Sequence, residues 1–110
     1  MATMIDFIEY ICEQLVGCGE IRYKKMFGEY MVYINNKPII LVCDNTAFVK
    51  QLPCIAEQMV GAEKDFPYKG AKEHYILDID NAEFCKQIIG ILEPQTPLPK
   101  PRREKNEMVK

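Results

Sequence analysis

The sequence predicts an α+β domain of two layers, in which an antiparallel sheet of four to five strands packs against helices. Apolar residues recur with helical spacing near the start of the chain and again near residue 90, and short apolar runs separated by turns lie between. The connections between the first runs are too short for the crossover that parallel strands need, so these strands are expected to be antiparallel. The predicted order of elements is α-ββββ-α-β-α.

Length and composition are those of one globular domain. The chain has 110 residues, of which 48% are hydrophobic and 27% are charged. No apolar stretch approaches the roughly 20 residues of a membrane helix, and an N-terminus without basic residues argues against a signal peptide. Five cysteines form no C-x-x-C pair, which favours free, mostly buried thiols in a reducing cytoplasm and argues against a metal site.

The first predicted helix runs from Met4 to Val16. At 100° per residue, most of its apolar side chains fall within an arc of about 140°. Gly17 and Gly19 are expected to end the helix. Tyr10 falls on the polar side, which makes it an aromatic side chain available to a partner.

Four strands follow, and each connection contains a residue that suits a tight turn. The turns are expected at Gly28, at Asn35-Asn36 and at Asp44-Asn45-Thr46, because Gly and Asn tolerate the left-handed conformation. The predicted strands are Ile21–Met26, Tyr30–Ile34, Pro38–Cys43 and Ala47–Lys50.

The second half of the domain alternates helix and strand. A short helix is predicted from Pro53 to Val60, with Pro in its first turn and Gly after its end. A loop from Asp65 to Gly70 contains two aromatic residues, and a strand from His74 to Ile79 follows it. The last predicted helix, Ala82–Glu93, has Asn81 as its N-cap.

Composition changes at Pro94, so we divide the chain into a domain of residues 1–93 and a tail of residues 94–110. The tail has four prolines within eight residues, which favours extended, solvated backbone. It carries five basic and two acidic residues, whereas the domain carries nine basic and fourteen acidic residues, or +3 against −5. The sequence therefore predicts an acidic domain with a disordered, weakly basic tail.

One stretch is specific enough to resemble a known family. Lys25-Met26-Phe27-Gly28, followed by Tyr30 and Tyr33, resembles the signature of the TfoX (Sxy) N-terminal domain family, and the resemblance covers most of residues 7–93. Two departures are Glu29, where a second Gly is common, and Asn35-Asn36 in place of an Asp-Gly turn. Neither change prevents a hairpin.

This resemblance implies a bacterial, cytoplasmic, non-enzymatic regulatory or protein-interaction module, linked to the regulation of competence for DNA uptake. It transfers no catalytic residue. Family members also have a second, helical domain, and only about 17 residues follow the last predicted helix here, so we expect a stand-alone member. The family fold is similar to that of type III secretion chaperones, which bind other proteins and often dimerise; this analogy concerns architecture alone.

Signals for catalysis are weak. His74 could pair with the thiol of Cys43 or Cys54 in a small thiol enzyme, although an ordinary strand histidine is the favoured interpretation. Asp78 and Asp80 could act as an acid pair, but a helix N-terminus favours such residues through its dipole alone. The glycines form no phosphate-binding loop, and we expect no cofactor.

Two binding modes remain. The preferred one is protein binding through exposed aromatics, with Tyr10, Phe66 and Tyr68 as the candidate partner surface and a weak homodimer formed over open sheet edges. The alternative is nucleic-acid binding, although the domain's net charge of −5 argues against it. Its candidate contacts are Arg22, Lys24 and Lys25 on the first strand, with Arg22 and Lys24 on one face, and Arg102 and Arg103 in the tail.

Overall fold

The computed structural model describes residues 4–26 and 29–98, which form an antiparallel sheet with two α-helices on one face. This confirms the predicted α+β class. Over these residues the sheet has six strands, where four to five were predicted. The elements are α1 (Ile5–Gln14), β1 (Ile21–Met26), β2 (Glu29–Ile34), β3 (Lys37–Cys43), β4 (Thr46–Val49), a 3₁₀ helix (Pro53–Ile55), β5 (Lys64–Asp65), β6 (His74–Ile76) and α2 (Ala82–Gln95).

The strands lie in the order β1-β2-β3-β4-β6-β5, and every neighbouring pair is antiparallel. The first four strands form the predicted meander. The connection from β4 crosses to the outer edge, so that β6 pairs with β4 and the two-residue strand β5 pairs with β6. β5 was not predicted, because the two polar residues Lys64 and Asp65 carry no strand pattern of their own.

Two of the predicted turns are confirmed by their backbone conformation. Asn35 and Asn36 have φ values of 54° and 69°, and Asp44 and Asn45 have values of 51° and 57°. Two consecutive residues with positive φ in a two-residue connection match the twist of the flanking strands. The third predicted turn, at Phe27-Gly28, lies outside the described residues.

The core lies between one sheet face and the two helices. Sheet residues that contribute to it include Val32, Ile34, Ile40, Val42 and Val49, all fully or almost fully buried. The helices add Ile8, Ile11, Leu15, Cys85, Ile88, Ile89 and Leu92. Burial of this apolar surface is the main stabilising term of the fold.

All three predicted helices differ from the structure. α1 ends at Gln14, two residues before its predicted end at Val16. The segment predicted as a helix from Pro53 to Val60 contains only the 3₁₀ helix and further turns. Its first hydrogen bonds span three residues, from Ile55 N to Leu52 O and from Ala56 N to Pro53 O. So short a segment gains too few hydrogen bonds to offset the cost of starting an α-helix.

The last helix extends past its predicted end and includes Pro94 in its final turn. The carbonyl groups left open there find other donors: Thr96 Oγ1 donates to Leu92 O at 2.7 Å, and Lys37 Nζ donates to Glu93 O at 2.9 Å. The predicted N-cap is confirmed, since Asn81 Oδ1 accepts the backbone N–H of Phe84. Across the described residues, no helix is both long and apolar enough to span a membrane.

Candidate binding groove on the open face of the sheet

The two faces of the sheet carry different side chains. One face packs on the helices. The other, which we call the open face, is defined by one row of cross-strand neighbours: Lys24, Met31, Leu41, Phe48 and Ile76. None of these five residues belongs to the hydrophobic core cluster that contains the helix residues. The open face is apolar at its centre, with a lysine at the β1 edge.

A groove of about 550 Å³ lies on the open face, between the strands and the segment that connects β5 to β6. Met31, Leu41 and Phe48 supply apolar surface from the central strands, and Tyr68 and Ala71 line it from the connecting segment. Its remaining lining residues are Pro38, Ile39, Lys50, Gln51, Leu52, Lys72, Glu73 and His74. An apolar concavity of this size with a few polar side chains is typical of a binding site.

His74 has a defined orientation in the groove. Its Nδ1 lies 2.8 Å from the carbonyl oxygen of Lys72, and its ring makes an edge-to-face contact with Phe48 at 6.4 Å between centroids. A carbonyl can only accept, so Nδ1 carries the proton of the neutral ring. Nε2 is then the ring nitrogen that can accept a hydrogen bond from a ligand.

The segment that connects β5 to β6 has a hydrogen bond at each end, and its two aromatic rings are exposed. At its start, the N–H of Phe66 donates to Asp65 Oδ1 at 2.7 Å, and at its end Gln51 Nε2 donates to the carbonyl of Glu73 at 3.1 Å. Phe66 and Tyr68 are 57% and 58% exposed. Tyr68 therefore presents apolar surface in the groove, whereas Phe66 is exposed in the same segment without lining the groove.

Tyr10, the third residue of the predicted partner surface, forms a hydrogen bond within the protein. Tyr10 is half-buried, and its hydroxyl donates to Asp80 Oδ1 at 2.6 Å. The bond to this carboxylate raises the pKa of Tyr10. Tyr10 thus joins α1 to the segment before α2, whereas Tyr68 lines the groove; a role for Tyr10 in partner binding stays a prediction.

The predicted nucleic-acid contacts are exposed but do not form one patch. Arg22 and Lys24 pair with Tyr33 and Met31 on the open face, as predicted, whereas Lys25 pairs with Tyr30 on the helix-packed face. Arg22 also forms an ion pair with Glu20 at 3.0 Å. The tail contacts Arg102 and Arg103 lie outside the described residues.

The residues that resemble the TfoX signature also lie on two strands and on both faces of the sheet. Lys25 and Met26 end β1, and Tyr30 and Tyr33 alternate between the two faces of β2, with Tyr30 buried. Tyr30 makes an edge-to-face contact with Tyr23 at 5.8 Å. The motif residues therefore build the β1–β2 hairpin on either side of Phe27 and Gly28, which are not described.

The cysteines do not assemble with His74. Cys43 and Cys85 are buried, and the other three are half-buried, free thiols. Burial, with Glu29 and Asp44 nearby, raises the pKa of Cys43 to about 11, the opposite of what a nucleophilic thiolate needs. Neither Cys43 nor Cys54 lines the groove that contains His74.

A second cavity, of about 680 Å³, lies between the end of β6 and the start of α2. It contains the predicted acid pair, Asp78 and Asp80, and two of its polar side chains bond within the fold: Asp80 accepts from Tyr10, and Asn81 caps α2. Gln58 Oε1 is buried there without a hydrogen bond to the described residues. No group of three or more potential metal ligands occurs in the described part of the chain.

Most of the groove was missed at the level of sequence. Met31, Leu41 and Phe48 were assigned to strands, yet alternation alone does not say which of their faces stays open. Lys50 and Lys72 carry no motif. The signal that was available is the pair of aromatics in the 65–70 loop, since aromatic residues are enriched at interfaces.

Comparison with known proteins gives a similar chain but no function. No family model matches this sequence, so its resemblance to the TfoX N-terminal domain stays a prediction. A protein of Spirochaeta aurantia, described as an uncharacterized 12.7 kDa protein in the trpE 5′ region, is 28% identical over 109 residues. The alignment covers 97% of this chain and 95% of that protein, so the similarity extends over almost the whole of both.

Proposed function

We propose that the protein is a cytoplasmic, non-enzymatic protein-interaction module of the TfoX N-terminal type, and that its partner binds in the groove on the open face. The observation that carries the proposal is the groove itself, with an apolar floor from Met31, Leu41 and Phe48 beside the exposed ring of Tyr68. The competence-linked regulatory role implied by the family resemblance belongs to the same proposal.

The arrangement of the apolar surface supports protein binding. Single exposed apolar residues are common on protein surfaces, but contiguous ones mark interaction sites. Leu41 and Met31 are half-buried neighbours in adjacent strands, and Tyr68 lines the same groove. Aromatic and Met side chains surrounded by polar ones are the usual composition of an interface centre.

A pull-down from native lysate with two matched variants tests this function. Leu41→Glu places a charge in the groove, and Val60→Glu places one on a residue that is 81% exposed and lines the other cavity. We expect the wild type and Val60→Glu to retain the same protein, and Leu41→Glu to lose it. A captured protein that all three chains retain equally would contradict the proposal, as would the absence of any partner.

The second candidate function is nucleic-acid binding. Lys24 is exposed on the open face, and Lys50 and Lys72 are exposed in the groove, so basic groups and aromatic rings share one surface, as in single-strand binders. This function predicts an affinity that falls steeply with salt and weakens in Lys24→Gln. Binding to a generic duplex and to a single strand at two salt concentrations tests it, and the same binding after charge removal would dismiss it.

A further inference from the structure

We infer that the groove recognises an extended segment of a partner protein, in which an apolar stretch is flanked by aspartate or glutamate. This inference rests on the proposed function, since it names the chemistry of the partner that binds there. It is carried by three features of the groove: the charge of its rim, its continuation toward the end of α2, and the hydrogen-bonding group left open on His74.

The rim of the groove is positively charged. Lys50 and Lys72 line it and are exposed, and within the described ranges neither forms a salt bridge. The carboxylate among the lining residues belongs to Glu73, which accepts a hydrogen bond from Gln51 Nε2 at 3.3 Å. Two lysines beside an apolar floor complement carboxylates that flank an apolar stretch.

The surface is elongated. A smaller cavity of about 180 Å³ shares Pro38, Ile39, Lys50 and Leu52 with the groove and continues to Pro97, beyond the end of α2. Lys50 thus belongs to both cavities, and Lys72 lies in the larger one. Two adjoining cavities with lysines at separate points suit an extended peptide better than a compact ligand.

His74 offers a hydrogen-bond acceptor that suits the backbone of an extended peptide. Because Nδ1 is bonded to Lys72 O, Nε2 is the position open to a ligand. An extended segment presents backbone N–H groups at regular intervals, and a neutral imidazole nitrogen can accept one of them.

Charge disfavours two other occupants. The chain's own tail carries a net charge of +3, so it would bring basic groups to a basic rim. A second copy that placed its own groove on this one would bring Lys50 and Lys72 toward the same residues. An acidic segment of another protein would be attracted to these lysines instead of repelled by them.

Selection from a phage-displayed library of random 12-residue peptides on the full chain tests the inference. Three chains are compared: the wild type, the double variant Lys50→Glu/Lys72→Glu, and the control Lys25→Glu/Lys86→Glu, which reverses two exposed lysines outside the groove. The best peptide from each selection is then measured by fluorescence polarisation against all three chains, with a generic DNA duplex as competitor.

We expect the wild type and the control to select peptides with Asp or Glu beside apolar residues. The groove variant is expected to bind these peptides at least about tenfold more weakly, because two attractive pairs become repulsive. Selected peptides without an acidic excess, or with equal affinity for the groove variant, would overturn the inference. So would a failure to select any peptide, and displacement by the duplex would reassign the surface to nucleic acid.

Failure of this inference and failure of the proposed function are distinguishable. If Leu41→Glu abolishes capture of a lysate protein but the selected peptides are not acidic, the interaction module stands and only the partner chemistry is wrong. If capture is insensitive to Leu41→Glu, the function itself fails, whatever the peptides contain.

Discussion

The two faces of the sheet differ in what covers them, although they are built from the same strands. Ile40 and Leu41 are neighbours in β3, yet Ile40 is fully buried under the helices and Leu41 is half-buried in the groove. On β4, Phe48 and Val49 are both buried but contact different groups: Val49 belongs to the core, and Phe48 contacts His74 on the open face.

This difference separates stability from recognition. The helix-packed face supplies most of the buried apolar surface and is expected to determine the free energy of unfolding. The open face retains Met31 and Leu41, which are half-buried, together with three exposed lysines, Lys24, Lys50 and Lys72. Substitutions on one face should therefore change the stability of the protein, and substitutions on the other should change its binding.

The largest effect is expected from a matched pair in β3. Ile40→Ala removes a fully buried side chain and should lower the free energy of unfolding by about 3 kcal/mol, since a cavity adds to the lost transfer energy. Leu41→Ala should cost about 1 kcal/mol, because its side chain already contacts solvent. Urea denaturation followed by circular dichroism measures both, and equal losses would contradict the distinction between the faces.

The next largest effect is expected in the alkylation rates of two buried cysteines. Cys43 lies at the end of β3 and Cys85 lies on α2; burial raises their pKa values to about 11 and about 12. A shift of two units lowers the thiolate fraction about 100-fold at pH 8, so both should be alkylated by iodoacetamide at least that much more slowly than an ordinary thiol. Mass spectrometry of the alkylated peptides measures these rates.

Urea-unfolded protein is the control for that experiment, since all five cysteines should then react. Rapid alkylation of Cys43 in the native protein, with Cys85 protected, would mean that the open face leaves the end of β3 accessible. Cys43 would then belong to the accessible surface of the sheet and not to the buried part.

A smaller effect should depend on pH. Glu93 forms an ion pair with Lys37 at 2.9 Å, and hydrogen bonds from Lys37 and Asn35 lower its pKa from the ordinary 4.5. The stabilisation is therefore present above about pH 4.5 and is lost as the pH falls through the lowered pKa. Glu93→Gln should reduce the urea midpoint at pH 7 and reduce it less at pH 3, because the wild-type carboxylate loses its charge as the pH falls through the lowered pKa.

Glu57→Gln, which changes an exposed carboxylate in the segment after the 3₁₀ helix, provides the matched control and should leave the midpoint unchanged at both pH values. A Glu93→Gln effect of the same size at pH 3 and pH 7 would show that packing, rather than charge, joins α2 to the start of β3.

The smallest effect on stability is expected from the aromatic residue beside the groove. Tyr68 is 58% exposed, so Tyr68→Ser should change the free energy of unfolding by no more than about 0.5 kcal/mol. The same variant should bind the captured partner more weakly. Thermal denaturation and the pull-down together measure both quantities, and a large loss of stability with intact binding would reverse the roles assigned to the two faces.

Local patterns were sufficient to predict most of the fold. Alternating strands and Asn- or Asp-containing turns specify the hairpins without reference to distant residues, and the N-cap of α2 is a local hydrogen bond. The segment after Pro53 could not be predicted in this way, because Ile55 and Met59 have helical spacing even though the backbone forms only short turns.

The groove lies beyond what a local pattern can predict. Met31, Phe48, Tyr68 and His74 come from four separate parts of the chain, and they meet because β6 crosses back to pair with β4. Neither the crossing nor strand β5 has a sequence signature. Which face of an alternating strand remains open depends on where the helices pack, and that is a property of the whole fold.

Site-specific photocrosslinking in native lysate tests the central claim most directly. A photoreactive benzoylphenylalanine would replace Tyr68 beside the groove in one chain and Tyr23, which is 42% exposed on β1, in another. The account predicts a discrete protein adduct from position 68, lost when Leu41→Glu is added, and none from position 23. An adduct from position 23 alone, or an adduct with nucleic acid from either position, would contradict it.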